Sequence, residues 1–264
     1  MAYGLLYDFL YGQTIEAYKY FGCHFVKNND EDGCIFRVYA PNASSVSIIG
    51  GFNNWNPNSH FMNKVDDSGV YELFIPGLKE YESYKFHIVS KNNMEMDKND
   101  PYGYLCDYKP GSYSRTFNID NFIWHDEEWM GYRNRNFDRP VSIYEMHLGS
   151  WLGQKDGRYL SYEEIADHLI KYINDNGFTH VEIMPITQYP FDGSWGYQGT
   201  GFYAVDSRYG NPFQLMSLID RLHQAGIGAI VDFAPVHFAT DPWALAEYDG
   251  SHLYEYDNEW RVSP

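Results

Sequence analysis

The chain has 264 residues, enough for one large domain or two ordinary ones with a substantial core. Acidic residues outnumber basic residues by 36 to 19, so the surface repels phosphate backbones and anionic lipid, which argues against nucleic-acid and membrane partners. Aromatic residues make up 19% of the chain, and tyrosine dominates them; its flat apolar face and polar tip suit a neutral amphipathic ligand.

The cysteines and the N-terminus indicate a cytoplasmic protein. Cys23, Cys34 and Cys106 are odd in number and widely spaced, which is typical of reduced thiols rather than of disulfides or a metal site. The opening "MAYGLLYDFLYGQ" lacks the basic and apolar regions of a signal peptide. No stretch reaches the roughly 18 apolar residues of a membrane span.

The first half of the chain is predicted to be a short helix followed by a β-sandwich. Apolar residues at roughly helical spacing indicate a lead-in helical segment over residues 1–22. From 23 to 120, short β-branched and aromatic runs alternate with turn residues, which predicts a small antiparallel, immunoglobulin-like sandwich. The expected strands are "CIFRVYA", "SSVSIIGGF", "VYELFIP", "SYKFHIV" and "SYSRTFNI".

After a linker at 121–140, residues 141–264 alternate strands with helices. The runs "SIYEMHLGS", "THVEIMPI" and "IGAIVDFAPV" are predicted strands, and the last is apolar enough to be buried on both faces. Two helices separate them, and their ends carry capping signals. These signals are Ser161 with Glu164 and Gly177 for the first helix, and Asn211 with Pro212 and Gly226 for the second.

This order of elements predicts a parallel sheet, open or closed. Strand, helix, strand, helix, strand begins both a doubly wound sheet and a (β/α)8 barrel. A complete barrel takes about 250 residues, and residues 141–264 supply less than half of that. A barrel would therefore be present only through about its third strand. Its open sheet edge would need a cover, and we expect either the remainder of a longer chain or a partner that pairs with this edge.

Asp232 and His237 are candidate site residues at the end of the third strand. An unpaired carboxylate is costly to bury, so Asp232 must have a partner, and no nearby residue in the sequence is an obvious cation. It either caps backbone amides or belongs to a site at the carboxyl end of the strand, where α/β sites lie. His237 alone would more often be structural, but its position five residues after Asp232 favours the site.

Two motifs in the loop at 189–212 fail for lack of context. "GTGFYA" matches a dinucleotide-binding spacing but does not join a strand directly to a helix. "FDGSWG" lacks the first glycine of a nucleophile elbow, so no catalytic triad is predicted. In the sandwich, Trp55 in a polar turn either plugs the end of the fold or offers a platform to a sugar ring. Lys85 could add a hydrogen bond to a sugar hydroxyl.

Taken together, the residues resemble glycogen (1,4-α-glucan) branching enzymes of the α-amylase superfamily along essentially the whole chain. "GGFNNWNP" and "YKF" resemble the family's carbohydrate-binding-like sandwich, and "SIYEMHLGSW" its first barrel strand. "YPFDGSWGYQGTGFYAVDSRYGNP" resembles the loop after the second strand, and "GIGAIVDFAPVHF" the third strand. The spelling "DGSWGYQ" favours branching enzymes, since debranching and trehalose-forming relatives tend to carry "WGYD".

The resemblance implies a set of substrate-binding residues and no cofactor or metal. Tyr197 matches a tyrosine that stacks on the sugar at the cleavage subsite, while Asp232 and His237 match the first catalytic-site segment. Weaker matches to the walls of the site are Trp195, Gln198 and Asp192, and Trp55 with Lys85 match sugar contacts of related modules. A second platform tryptophan of those modules would fall near "KNNMEM", where none occurs.

The resemblance also implies an α-glucan partner and retaining transglycosylation. That chemistry uses two carboxylates about 5 Å apart, which the family carries after its fourth and fifth strands. Glu145 and Glu182 match structural positions instead, so this chain alone is expected to be inactive. Two other interpretations remain open: a debranching or trehalose-forming hydrolase of the same superfamily, and a non-catalytic glucan-binding protein.

Overall fold

The structure is a computed structural model that describes residues 2–109, 111–133, 138–236 and 238–258. An N-terminal helix, α1 (Ala2–Leu10), and a 3₁₀ turn at Ala17–Lys19 precede the first strand. A two-sheet sandwich follows, and then a three-stranded parallel sheet with helices on one face. Among the described residues, none of the helices is long and apolar enough to cross a bilayer.

The sandwich consists of two antiparallel sheets with a shared apolar core. One sheet has the order β1-β2-β5-β4, and the other has the order β3-β6-β9-β8 with β7 also paired to β6. Alternation along β6 buries Tyr84, Phe86 and Ile88, which face the core. The strands are β1 (Gly22–Asn28), β2 (Glu31–Tyr39), β3 (Ala43–Gly50), β4 (Asn63–Val65), β5 (Val70–Pro76), β6 (Ser83–Ser90), β7 (Glu95–Lys98), β8 (Leu105–Cys106) and β9 (Ser114–Arg115).

The second half of the chain builds a parallel sheet in sequential order. Strands β10, β13 and β16 are neighbours in that order, and both pairs are parallel. Helices α4 and α5 connect them and pack their apolar faces on one side of the sheet. The elements are α2 (Glu127–Tyr132), β10 (Ile143–Met146), α3 (Leu148–Trp151), β11 (Gln154–Lys155), β12 (Arg158–Tyr159), α4 (Tyr162–Asn176), β13 (His180–Ile183), β14 (Thr187–Gln188), β15 (Gly201–Val205), α5 (Pro212–Gln224) and β16 (Gly228–Val231).

The segment after β16 returns to the sandwich and completes its core. Leu245 and Tyr248 belong to the same buried cluster as the sandwich strands. The carboxylate of Asp249, which is fully buried, accepts a 2.8 Å hydrogen bond from the amide of Asn42. The Tyr248 hydroxyl also donates to the carbonyl of Asn99 at 3.0 Å. The two halves are therefore joined by buried polar contacts as well as by apolar packing.

The helix signals in the sequence are confirmed in detail. The Ser161 hydroxyl accepts from the amide of Glu164, whose carboxylate accepts from the amide of Ser161 in return, so the predicted capping box is present. Gly177 ends α4 with a φ of 71°, a left-handed conformation that favours glycine. Asn211 caps α5 with Pro212 in its first turn. The three cysteines are free, in line with the predicted thiols, and all three are buried.

Several strand and helix predictions were wrong in extent. The lead-in helix ends at Leu10, and the run "SYSRTFNI" contributes only the two residues of β9. The predicted first barrel strand turns into helix α3 from Leu148. Strand β16 ends at Val231 and is not buried on both faces, because no described element covers its other side; Val231 is 40% exposed.

Candidate functional site

The candidate site lies where the parallel strands end. Successive parallel strands bring their carboxyl ends to one edge of the sheet, and the residues that follow them meet there. Asp232 directly follows β16, and its amide extends the ladder by donating to the carbonyl of Ile183 at 2.9 Å. Its side chain is half-buried. This backbone bond fixes where the Asp232 carboxylate stands.

The partner that Asp232 needs is Tyr197. The Tyr197 hydroxyl donates a hydrogen bond of 2.5 Å to a carboxylate oxygen of Asp232, 35 residues further along the chain. Hydrogen bonds to ionised acceptors are short and roughly twice as strong as neutral ones. This bond raises the pKa of Tyr197 to about 12, so the phenol keeps its proton at neutral pH. The bond also holds the half-buried ring at the edge of the sheet.

Two further carboxylates face the same region. Glu145 of β10 and Glu182 of β13 are paired in register, on the face of the sheet opposite the helices. Their negative charges add to the rise in the pKa of Tyr197. One carboxylate thus bonds the phenol and two more act on it electrostatically, and the sequence had pointed only to the first, Asp232, as a site residue.

The loop that carries Tyr197 is anchored as a short hairpin. Strands β14 and β15 pair antiparallel and bring the two ends of the loop together. Gly196 lies directly before Tyr197 with a φ of 92°, and a Cβ atom there would collide with the carbonyl oxygen of Pro185. Only glycine fits this turn without strain. The backbone at 196 therefore aims the tyrosine towards the ends of the strands.

A fully buried arginine ties down the base of the same loop. The Arg208 side chain is 0% exposed and pairs with the equally buried Asp206 at 3.0 Å and with Asp192 at 2.9 Å. Its guanidinium also donates to the carbonyl of Tyr189 at 2.7 Å and stacks on that ring, 4.1 Å from its centroid. Burial raises the pKa of Asp206 to about 6, against the opposing charge of Arg208. The ion pair with Arg208 therefore favours the ionised form of Asp206 despite its burial.

Asp192, a candidate for the site wall, is part of this ion-pair group. Burial opposes its ionisation, but contacts with Lys109 and Arg208 hold its pKa below the ordinary value. The Asp192 carboxylate thus stabilises the loop through these two ion pairs. Sequence reasoning missed Arg208, although an arginine two residues after an aspartate in "DSRYGNP" was a signal for a local ion pair.

Trp195 and Gln198 flank Tyr197 on the surface. The Trp195 side chain is 58% exposed and lies next to the His147 ring, with 6.1 Å between centroids. Gln198 is exposed and makes no hydrogen bond among the described residues. The Nε2 atom of His147 is buried without a partner in the described part of the chain, and burial lowers the pKa of this histidine. His237, the remaining candidate, lies outside the described residues.

Trp55 and Lys85 of the sandwich meet on a tyrosine that the sequence did not single out. The Trp55 ring is 4.8 Å from that of Tyr113, and the Lys85 ammonium is 4.9 Å from the centroid of the same ring. Trp55 is 37% exposed, so it does not plug the fold completely. A cavity of about 300 Å³ beside it is lined by Trp55, His87 and Asp97, among others. Burial lowers the pKa of Lys85, against the charges of Asp97 and Asp107.

Within the described residues, no cluster of three or more histidine, cysteine or acidic side chains could hold a metal ion. The site offers instead an aromatic rim, a hydrogen-bonded phenol and carboxylates. Aromatic faces with a few placed polar groups bind neutral, hydroxyl-rich ligands.

Two family models match the chain. Residues 20–103 match carbohydrate-binding module 48 (isoamylase N-terminal domain), and residues 161–260 match the alpha amylase catalytic domain. The first covers most of the sandwich, and the second covers α4, α5 and the strands and loops around Tyr197 and Asp232.

Similar proteins are 1,4-alpha-glucan branching enzymes. The chain is 43% identical to that of Bacillus subtilis, over 96% of this chain and 41% of the relative. It is 45% identical to that of Nitrosomonas europaea, over 96% of this chain and 35% of the relative, and 42% identical to that of Geobacillus stearothermophilus, over 96% and 40%. The chain thus spans about two fifths of the length of the curated relatives it matches.

Solved structures show the same fold at lower identity. A Salmonella typhimurium protein assigned as an alpha amylase superposes with a TM-score of 0.67 and 22% identity, over 84% of this chain and 34% of the other. Pullulanase from Bacillus acidopullulyticus gives 0.63 and 22%, over 83% and 30%. The expected fold class, a sandwich followed by the first strands of a (β/α)8 barrel, is confirmed.

Proposed function

We propose that this chain, which is similar to 1,4-alpha-glucan branching enzymes, forms one wall of the glucan cleft of an enzyme of that kind. In this role the chain binds and positions an α-glucan. The proposed reaction cleaves an α-1,4 linkage and transfers the released chain to a glucose 6-hydroxyl, which makes an α-1,6 branch.

The observation that carries this proposal is the hydrogen bond between Tyr197 and Asp232 at the carboxyl edge of the parallel sheet. The bond fixes a half-buried aromatic face beside carboxylates, where a sugar ring can stack and its hydroxyls can find acceptors. Trp195 and Gln198 are proposed to extend this surface, and His237 to contact the sugar beside Asp232. Asp192 supports the loop through Arg208 and Lys109.

The bond-breaking groups are proposed to lie on strands other than β10, β13 and β16. Retaining transfer needs a nucleophile and a general acid/base on opposite sides of the linkage. Asp232 already accepts from Tyr197, and Glu145 and Glu182 lie side by side on neighbouring strands. We assign these carboxylates to positioning and electrostatics, and we expect the 264-residue chain alone to form no branches.

The remaining assignments follow from the same relationship. We propose domain boundaries near residues 22, 120 and 140, with the sandwich as a carbohydrate-binding module that uses Trp55 and Lys85. Free, buried cysteines support a reducing compartment, and we propose the cytoplasm.

The test is binding without catalysis. The purified chain is expected to be retarded in gels that contain glycogen, and Tyr197→Ala to reduce the retardation, while iodine staining and linkage analysis of treated amylose show no new α-1,6 bonds. Arg221→Met, which removes an exposed ion pair with Asp167 on the helices, serves as the matched control. The proposal would be contradicted if the unaltered chain were not retarded by glycogen, or if it formed new α-1,6 bonds.

A further inference from the structure

Two adjoining cavities lie on the sandwich away from both sites described above. One, of about 620 Å³, is lined by residues of β1, β2 and the turn after β5; the other, of about 400 Å³, lies between the 3₁₀ turn before β1 and the segment after β9. Phe25 and Asn118 line both cavities, so the two form one groove. The cavity beside Trp55 shares no lining residue with either of them.

From the lining of this groove we infer a second α-glucan-binding surface on the sandwich, separate from Trp55 and from Tyr197. This inference rests on the proposed function and extends it to a further place where the same polymer is held.

The groove combines aromatic faces with unused hydrogen-bonding groups. Tyr18, Phe25 and Tyr104 are half-buried rings in its wall. The Asn118 side-chain oxygen accepts from the amide of Asp120 at 3.0 Å, which leaves its NH₂ group without a partner among the described residues. The Asn121 side chain in the same wall is likewise unpartnered in the described part of the chain. Planar amides beside aromatic rings match the alternating hydroxyls and C–H faces of a sugar chain.

The charges of the groove favour a neutral ligand. Its lining contains three lysines and three carboxylates, so it carries no formal net charge, in a chain whose formal net charge is −17. Burial lowers the pKa of His24, against a hydrogen bond to the carbonyl of Phe21, and keeps its ring neutral. A phosphorylated ligand would meet as many carboxylates as ammonium groups. The charged residues are Lys19, Lys27, Lys79, Asp32, Glu80 and Asp120.

A second surface changes how the module can hold a polymer. Two separate sites on one sandwich would bind two stretches of a branched glucan at once, and the second contact would then benefit from the high effective concentration that the first creates. The groove would therefore contribute more to binding of glycogen than to binding of a short linear oligomer.

The test uses a pair of substitutions that keep the hydrogen bonds described for these two residues. The Tyr104 hydroxyl donates to the backbone carbonyl of Tyr18 and not to its side chain. Tyr18→Ala therefore removes the ring and keeps this hydrogen bond. It also removes a ring contact with Tyr203, whose centroid lies 6.0 Å from that of Tyr18. Asn118→Asp keeps the oxygen that caps the turn at Ile119–Asn121 but replaces the free NH₂ donor with an acceptor. The combined variant is compared with Tyr18→Phe, which keeps the ring, and circular dichroism checks that each variant is folded.

The combined variant is expected to lose affinity for maltoheptaose at the groove by about fivefold or more, which corresponds to at least one lost hydrogen bond. Tyr18→Phe is expected to stay within about twofold of the unaltered chain, because it keeps the stacking face. Hydrogen exchange with maltoheptaose should protect residues 17–28 and 116–122. With Trp55→Ala added, the losses in glycogen gels should multiply, since the two sites share no residue.

Three results would overturn the inference. If the folded combined variant binds glycogen and maltoheptaose as the unaltered chain does, and only Trp55→Ala or Tyr197→Ala weakens binding, the groove is not a site and the proposed function stands. If cellohexaose protects the groove as well as maltoheptaose does, its assignment to α-glucan is wrong. If the unaltered chain binds no α-glucan at all, the proposed function fails together with the groove.

Discussion

The buried arginine beneath the Tyr197 loop should be among the most sensitive positions in the barrel half. Arg208→Met keeps much of the apolar volume but leaves Asp206, whose side chain is 0% exposed, without its cation. Removing one partner of a buried ion pair typically costs about 3–5 kcal/mol, because the other charge stays buried and uncompensated. Loss of the bonds to the carbonyls of Tyr189 and Pro190 acts in the same direction.

The magnitude can be separated into its parts with a double variant. Adding Asp206→Asn to Arg208→Met removes the uncompensated charge and should restore about 1–2 kcal/mol of the loss, while the unpaired carbonyls keep the remainder. Urea unfolding of the single and double variants measures this coupling. Arg221→Met, which breaks an exposed pair, should cost no more than about 1 kcal/mol.

The pH dependence gives an independent check on the same reasoning. Burial already raises the pKa of Asp206 to about 6 with Arg208 present, and removing that opposing charge raises it further. A carboxyl group whose pKa is higher in the folded state than in the unfolded state binds protons more tightly in the folded state, so a fall in pH stabilises the fold. The deficit of Arg208→Met should therefore shrink between pH 7 and pH 5. If the stability lost in Arg208→Met does not depend on pH, or if the losses of the two single substitutions simply add in the double variant, the uncompensated charge of Asp206 is not the cause.

Three further predictions concern single positions. Burial raises the pKa of Asp100 to about 6, so the contribution of this carboxyl group to the free energy of unfolding should fall by about 2 kcal/mol as the pH rises from 4 to 6. Urea titrations of Asp100→Asn should lack this component, and an unchanged profile would contradict it. Gly196→Ala should lower the free energy of unfolding in urea by about 1–3 kcal/mol, because alanine is strained at a φ of 92° and its Cβ atom would collide with Pro185. It should also weaken maltoheptaose binding. No change in either measurement would show that the turn relaxes without strain. Tyr197→Phe should bind maltoheptaose about fivefold more weakly in calorimetry, because phenylalanine keeps the ring but not the hydrogen bond to Asp232. Tyr197→Ala should lose more affinity, because it removes the ring as well. Equal losses in the two variants would mean that the ring itself does not contribute.

Local signals in the sequence predicted local structure well. The ends of α4 and α5 follow from Ser161, Gly177 and Asn211, whose side chains or backbone act within a few residues. By contrast, β1 was missed because its last three residues, "VKN", are exposed and two of them are polar, so that only pairing with β2 makes this segment a strand. Extended structure depends on partners that propensity cannot name.

The candidate site shows the same division. Parallel-strand logic correctly located Asp232 next to the end of a strand, but its partner Tyr197 comes from a loop 35 residues away and is no cation. The engagement of Asp192 with Arg208 and Lys109 depends on how deeply the arginine is buried, which no spacing in the sequence reveals. Both contacts arise from tertiary packing. Residue type was therefore enough to suggest the candidate residues, but only the fold shows which residues contact each other.

The return of Leu245, Tyr248 and Asp249 to the sandwich has a consequence for how the chain folds during synthesis. The bond between Asn42 and Asp249 joins residues 207 positions apart, so the sandwich emerges from the ribosome long before its last core residues. Until then the sandwich would present an apolar gap to solvent, a state that favours association with chaperones or with other chains. A fragment that stops near residue 120 would keep that gap permanently, so its stability and glucan affinity would understate those of the sandwich within the longer chain.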